Sequence, residues 1–256
     1  MGFRYDAAVT TRFSLIWPAG SAVGRALVEP PGRAPAGVGV RGAVDEATCA
    51  RWVEAVVRAR SEWTADFGGE QFSLGRAFYT HLETDQSEAY FRDAAASDAR
   101  VERSLPGMQA AMRELFASMV GGVARARRGW CGPGVHIFPA GGEVAERGGV
   151  VHFDIEGLTE KHARDGRPAL TIVVMLQPPD SGGGLKLWDV RYRGRERATR
   201  AELAKPSVTA SYEPGTAILI DSYRLHQIQP FGGTRDRISI TIHGAEVDAG
   251  VWETWF

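Results

Sequence analysis

Hydrophobic positions recur with two periods along the 256-residue chain, and the change falls near Gly132. Before it, Cys49, Trp52, Val53, Val56 and Val57 repeat at i, i+3, i+4, i+7 and i+8 behind Asp45, a residue type that caps helix N-termini. That spacing predicts an amphipathic helix over 46–60. Ser104 followed by Pro106 predicts a second helix start, with Met108, Met112, Leu115, Phe116 and Met119 as its buried stripe and Gly121-Gly122 as its end. Between these helices the aromatic-rich segment 61–91 is expected to hold one or two strands with loops. Residues 1–36 hold one short apolar run, Arg12 to Trp17, and then a Pro/Gly-rich stretch, read as an N-terminal arm laid over the domain.

From Gly132 onward the pattern is one of short strands separated by Gly, Pro and charged turns. They are Val135 to Phe138, Val150 to Asp154, Leu170 to Leu176, Leu185 to Trp188, Thr216 to Asp221 and Ile238 to His243. Helices first and strands afterwards predict an α+β protein in which a β-sandwich or barrel carries the site. The division expected is an arm (1–36), a helical and aromatic support (37–131) and a β core (132–256), all in one domain.

Within that pattern, polar side chains sit where strand geometry gathers them. His152 and Asp154 are two apart in Gly148-Gly149-Val150-Val151-His152-Phe153-Asp154, so on a strand both project from one face. With His226, which follows the apolar run Thr216 to Asp221, they complete a 2-His-1-carboxylate set, the donor group that holds non-haem Fe(II) and leaves positions open. In Arg237-Ile238-Ser239-Ile240-Thr241-Ile242-His243 the isoleucines take one face and Arg237, Ser239, Thr241 and His243 the other. A guanidinium turned inward is costly without a partner, and a carboxylate from a small molecule would satisfy its planar fork with two parallel hydrogen bonds. His243 reads as a hydrogen-bonded core histidine; His81 and His162, in polar contexts, read as surface residues.

Composition narrows the classes. Of the chain, 44% is hydrophobic and 24% charged, as in ordinary globular proteins, and the formal net charge of −1 gives no field favouring nucleic acid or an anionic membrane. Cys49 and Cys131 are the only cysteines, which makes neither a disulfide framework nor a CxxC metal site. Arg4, Asp6 and Arg12 interrupt the N-terminus before any long apolar run, and Leu170 to Leu176 is far too short to span a bilayer. A cytoplasmic protein is expected. The arginine-rich stretch Arg191 to Arg197, broken by Gly194 and Glu196, reads as a solvated loop in preference to an anion site.

On His152-x-Asp154, His226 and Arg237-x-Ser239, the chain resembles the Fe(II)/2-oxoglutarate-dependent oxygenase superfamily over residues 132–243. Leu170 to Leu176 followed by Ser181 to Trp188 is similar to its prolyl-hydroxylase-like branch. The resemblance implies a double-stranded β-helix (a cupin-like jelly roll) with flanking N-terminal helices. It implies iron on His152, Asp154 and His226, with the distal carboxylate of 2-oxoglutarate on Arg237 and Ser239. It also implies the use of O2, release of succinate and CO2, and hydroxylation, desaturation or ring closure of a small molecule such as an amino acid or specialised metabolite. Two tyrosines usual in that branch fall at Phe138 and Met175, so Thr171 and His136 are expected to serve as replacement donors. Asp154 argues against halogenation, and His243 stands where DNA-dealkylating members carry a second arginine. Zinc accepts the same three ligands, so a hydrolase is a second reading, which leaves Arg237 and Ser239 without a purpose. A non-catalytic jelly-roll carboxylate sensor is a third, and it has no need of open metal positions.

Overall fold

The computed structural model describes residues 15–18 and 37–256. The expected arm over 1–36 lies outside them except for β1 (Leu15–Pro18), which pairs in parallel with β2 (Gly37–Arg41). Asp45 then caps α1 (Glu46–Arg58), its carboxylate accepting from the Thr48 N–H at 2.8 Å. Cys49 and Val56 of the predicted stripe are buried, but Val57 is 52% exposed and falls off it. Segment 61–91 supplies β3 (Thr64–Asp66) and β4 (Gln71–Leu74), then the short helix α2 (Phe78–Glu83).

An unpredicted helix follows, α3 (Ser87–Ser104). Its buried positions are Tyr90, Ala94, Ser97 and Val101, mostly small or polar, so the hydrophobic period is faint. Ser104 therefore ends a helix and does not start one. The turn Leu105-Pro106-Gly107, with Gly107 at φ 76°, leads into α4 (Met108–Val120). Met108, Met112, Phe116 and Met119 are buried as expected, and Gly121 in the left-handed region closes the helix.

The strands continue with β5 (Val123–Ala126) and β6 (Gly134–Phe138), and two short helices, α5 (Glu143–Arg147) and α6 (Glu160–Asp165), precede β7 (Ala169–Gln177). Then come β8 (Ser181–Gly182), β9 (Leu185–Arg191), helix α7 (Arg200–Leu203) and β10 (Ser207–Ala210). The chain finishes through β11 (Ala217–Asp221), β12 (Arg224–Ile228), β13 (Phe231–Gly232), β14 (Arg237–Asp248) and β15 (Val251–Trp255).

The result is a mixture of helices with largely antiparallel sheet. The main sheet runs β1-β2-β11-β7-β14-β6-β4-β3, and β15 joins β14 to β5. A smaller sheet runs β10-β9-β12. Strands from the expected support region thus pair directly into the main sheet. Ile238, Ile240 and Ile242 of β14 pack with Val56, Met112 and Phe116 in the principal core, so the helices cover one face of the main sheet. The alternating residues of β14 are left for the other face, where the site lies.

Two expectations are corrected. Val150 to Asp154 is not a ladder strand: positive φ at Gly148 (80°) turns the chain, and only His152 forms a bridge, to His226. His81 and His162 are buried, 4% and 6% exposed, because both ring nitrogens of each are satisfied. His81 donates to the Ala77 carbonyl at 2.8 Å and accepts from Arg76; His162 donates to the Glu246 carbonyl at 3.1 Å and accepts from Thr159. The arginine-rich loop is solvated as expected at Arg193, Arg195 and Arg197, while Arg191 belongs to β9 and meets Asp221 at 3.5 Å.

Candidate metal centre

The backbones of His152 and His226 exchange hydrogen bonds, N to O at 3.1 and 3.0 Å, as a directly opposed antiparallel pair. Opposed residues of such a pair project to the same side, and here the ring centroids lie 4.3 Å apart. Asp154, two residues on, is anchored by its N–H to the Ser222 carbonyl at 2.9 Å. Its Oδ1 sits 3.4 Å from His152 Nε2 and 3.5 Å from His226 Nε2. One ligand atom from each of the three residues can be taken so that all lie within 4.8 Å of one another.

The tautomers follow from the backbone. His152 Nδ1 donates to the Val150 carbonyl at 2.8 Å and His226 Nδ1 to the Arg224 carbonyl at 2.9 Å. A carbonyl only accepts, so each Nδ1 carries a proton and each Nε2 faces the centre, where a metal would take its lone pair in place of any proton held there. Orienting bonds of this kind on the far nitrogen are what metal-binding histidines require. Burial alone would raise the Asp154 carboxyl, but the charge of His226 and the hydrogen bonds from both histidines hold it well below the ordinary carboxylate range. Burial opposes protonation of His152, yet Asp154 and the Val150 carbonyl lift it to about 9. Two imidazole nitrogens and a carboxylate oxygen, convergent and pre-oriented, are a donor set that fits a divalent transition metal.

These residues open on a cavity of about 530 Å³ between the main sheet and the smaller one. Arg237, Ser239, Thr241 and His243 of β14 all line it, as the alternation predicts. Arg237 is 1% exposed; its Nε donates to the Gly183 carbonyl at 3.2 Å and an Nη to Ser239 Oγ at 3.1 Å. Among the described residues no carboxylate pairs with it, and its charge lies over the rings of Phe138 and Tyr212, 5.3 and 5.4 Å from their centroids. Burial correspondingly lowers its pKa.

Phe138 and Met175 are the cross-strand neighbours of Arg237 and Ser239. Neither can donate, so the two expected replacements matter. His136 also pairs with Ser239 and faces the cavity; burial pushes it down to about 3, so it is neutral, and its Nδ1 has no partner among the described residues. Thr171 Oγ1 faces the cavity too, but already bonds Ser222 Oγ at 3.1 Å and His243 Nδ1 at 3.0 Å. His243 is thereby held as the hydrogen-bonded residue expected, stacked on Trp255.

Several lining residues carry no sequence motif. Tyr79, from the aromatic-rich segment 61–91, lines the cavity and hydrogen-bonds Gln71. Phe67 lines the cavity at φ 49°, an uncommon conformation for a non-glycine residue, beside Gly68 and Gly69. Glu156, two residues beyond Asp154, also lines the cavity; burial, then the charge of Asp154, push its carboxyl up to about 7. Gly148, Gly149, Val150 and Val151 also line the cavity, drawn there by the turn before His152.

The helix-and-sheet arrangement and convergent triad define a class, a β-sheet protein with a candidate facial metal site at a cavity. No protein-family model matches the chain, and no curated protein matches it. Among solved structures it is similar to the non-haem alpha-ketoglutarate-dependent carbocyclase SnoK from nogalamycin biosynthesis, at 14% identity, over 83% of this chain and 80% of that one, with a TM-score of 0.52. An N-substituted L-amino acid dioxygenase from Burkholderia ambifaria AMMD gives 15% identity, 83% and 84% coverage and a TM-score of 0.52. The epimerase SnoN, in complex with Fe3+, alpha-ketoglutarate and nogalamycin RO, gives 16%, 81%, 78% and 0.50. The chain has the fold of the Fe(II)/2-oxoglutarate-dependent oxygenases. None of its described helices is long and apolar enough to cross a membrane.

Proposed function

We propose that the protein is a cytoplasmic Fe(II)- and 2-oxoglutarate-dependent oxygenase of a small molecule, built as one domain whose β core (132–256) forms a double-stranded β-helix. The observation that carries the reading is the pairing, in one cavity, of a pre-oriented His152-Asp154-His226 triad with a buried arginine lacking any acidic partner among the described residues. The triad alone also suits zinc hydrolysis, but only an acidic cosubstrate gives Arg237 a counter-charge. The named neighbours SnoN, in complex with Fe3+ and alpha-ketoglutarate, and the amino acid dioxygenase support the same chemistry.

In this reading His152, Asp154 and His226 hold the iron. When bound, iron and 2-oxoglutarate together supply O2-dependent oxidation coupled to release of succinate and CO2. Arg237 and Ser239 fix the far carboxylate of the cosubstrate, and the neutral His136 offers an uncommitted ring nitrogen to it. Nδ1–H bonds to Val150 and Arg224 keep the two ligand rings from rotating. Phe138, Phe67 and Val151 keep the cavity wall apolar and limit water near the metal.

The test is O2-dependent conversion of 2-oxoglutarate to succinate by Fe(II)-loaded protein, with Zn(II)-loaded protein alongside. The reading expects succinate with iron and none with zinc or without O2. No succinate under any condition, with iron retained, would remove it.

A further inference from the structure

The cavity wall that the support region contributes is built of rings. Phe67, Phe78 and Tyr79 line it from that side, and Trp255 and Phe256 extend the aromatic surface. Phe67 is held at φ 49° ahead of the glycine pair Gly68-Gly69, and its ring lies 6.1 Å from that of Tyr79. Within this wall the hydroxyl of Tyr79 has only half of its hydrogen bonding. Gln71 Nε2 donates to the Tyr79 oxygen. The amide is oriented by Asp66, its directly opposed partner on β3, because a carboxylate draws the NH2 end toward itself and not the carbonyl. Burial raises the pKa of the phenol, so it keeps its proton. That hydrogen has no acceptor among the described residues, and the ring that carries it faces the cavity. Tyr79 also stands away from the cosubstrate end. The rings run Phe138, His136, Tyr79 with 5.8 and 5.7 Å between successive centroids, and Phe138 is the one that lies against Arg237.

A hydroxyl donor set among aromatic rings is complemented by an oxygen acceptor on an apolar ring body. The cavity of about 530 Å³ has room for such a body beside a five-carbon diacid. Of the lining guanidinium groups among the described residues, Arg237 lies at the cosubstrate end and Arg147 is tied to Glu143 at 2.7 Å. An anionic substrate would therefore find no free counter-charge. We infer that the substrate is a neutral ring compound whose oxygen accepts the Tyr79 O–H while its apolar faces pack on Phe67 and Phe78. Tyr79 is then a substrate-contacting residue. The inference rests on reading this cavity as the oxygenase active site.

Isothermal titration calorimetry of the protein loaded anaerobically with Fe(II) and 2-oxoglutarate tests this with three probes of one skeleton: 1-indanone, indane and indane-1-carboxylate. The ketone should bind about fivefold more tightly than the hydrocarbon, and the carboxylate most weakly. Tyr79→Phe keeps the ring and removes the hydroxyl. It should bring the ketone down to the hydrocarbon's affinity while indane and 2-oxoglutarate each stay within about twofold of the parent. No binding of the ketone, a ketone no tighter than indane, tightest binding by the carboxylate, or a ketone advantage that survives Tyr79→Phe would each overturn the inference. So would weaker 2-oxoglutarate binding in Tyr79→Phe with the ketone unaffected, which would assign the hydroxyl to the cosubstrate. Succinate formation by the parent protein is recorded separately. Its absence strikes the oxygenase reading, while the preference for an oxygen acceptor is still decided by calorimetry.

Discussion

At one end of the cavity Arg237 and Ser239 stand on β14, paired to β6 on one edge and β7 on the other, with Arg237 1% exposed. At the other end His152 and Asp154 stand on a segment joined to β12 by one bridge and by the Gly149 N–H to the Ile228 carbonyl at 2.9 Å, without a continuous ladder, after a glycine turn and beside Val150, which is 81% exposed. The difference is physical. A permanent cation can be kept unpaired in a protein interior only if the surrounding ladder over-determines its position, because relaxation toward water would otherwise relieve it. Metal ligands are held together by the metal itself once it binds, so their segment tolerates a looser frame and leaves the site open to substrate. In the function proposed above, the closed end would take a ligand of fixed charge and the open end a variable one.

The largest effect that would break this contrast is at the triad. His226→Ala removes a ligand that is 4% exposed, and bound iron should fall from about one per chain to nearly none, with turnover lost, by metal analysis after anaerobic reconstitution. Next is Arg237→Met, which fills the volume without the charge. Loss of two charge-assisted hydrogen bonds should weaken 2-oxoglutarate by about 3 kcal/mol or more, roughly a hundredfold, in an equilibrium binding assay. The same variant should melt no lower than the parent without cosubstrate, since an uncompensated buried charge has been removed. Ser239→Ala, which takes away one neutral hydroxyl beside Arg237, should cost about 1 kcal/mol of 2-oxoglutarate binding and leave iron unchanged. Smallest is Val150→Thr at the open rim, expected to shift the folding free energy by no more than about 0.5 kcal/mol in a urea melt. A large loss there would show the loop to be as constrained as β14.

What the sequence discloses follows the same division. On β14 the rule of alternation assigns Arg237, Ser239, Thr241 and His243 to one face because isoleucines occupy the other, and the structure places them so. The spacing of His152 and Asp154 survives although the expected strand does not, since an extended chain alternates its side chains with or without a ladder. Helix α3 escapes because a face of Tyr90, Ala94, Ser97 and Val101 has little hydrophobic contrast. His81 and His162 look like surface residues because their polar neighbours are visible in the chain, whereas the Glu246 carbonyl that buries His162 lies 84 positions away. Tyr79 and Glu156 reach the cavity by tertiary packing, which no local pattern encodes.

The most direct test of two separable ends in one oxygenase cavity is anaerobic equilibrium dialysis, with Fe(II) and 2-oxoglutarate counted on the same samples. The account predicts about one of each per chain in the parent, iron retained with 2-oxoglutarate lost in Arg237→Met, and iron lost in both His226→Ala and Asp154→Gly. Full iron occupancy in the two triad variants, or parent-like 2-oxoglutarate retention in Arg237→Met, would contradict it.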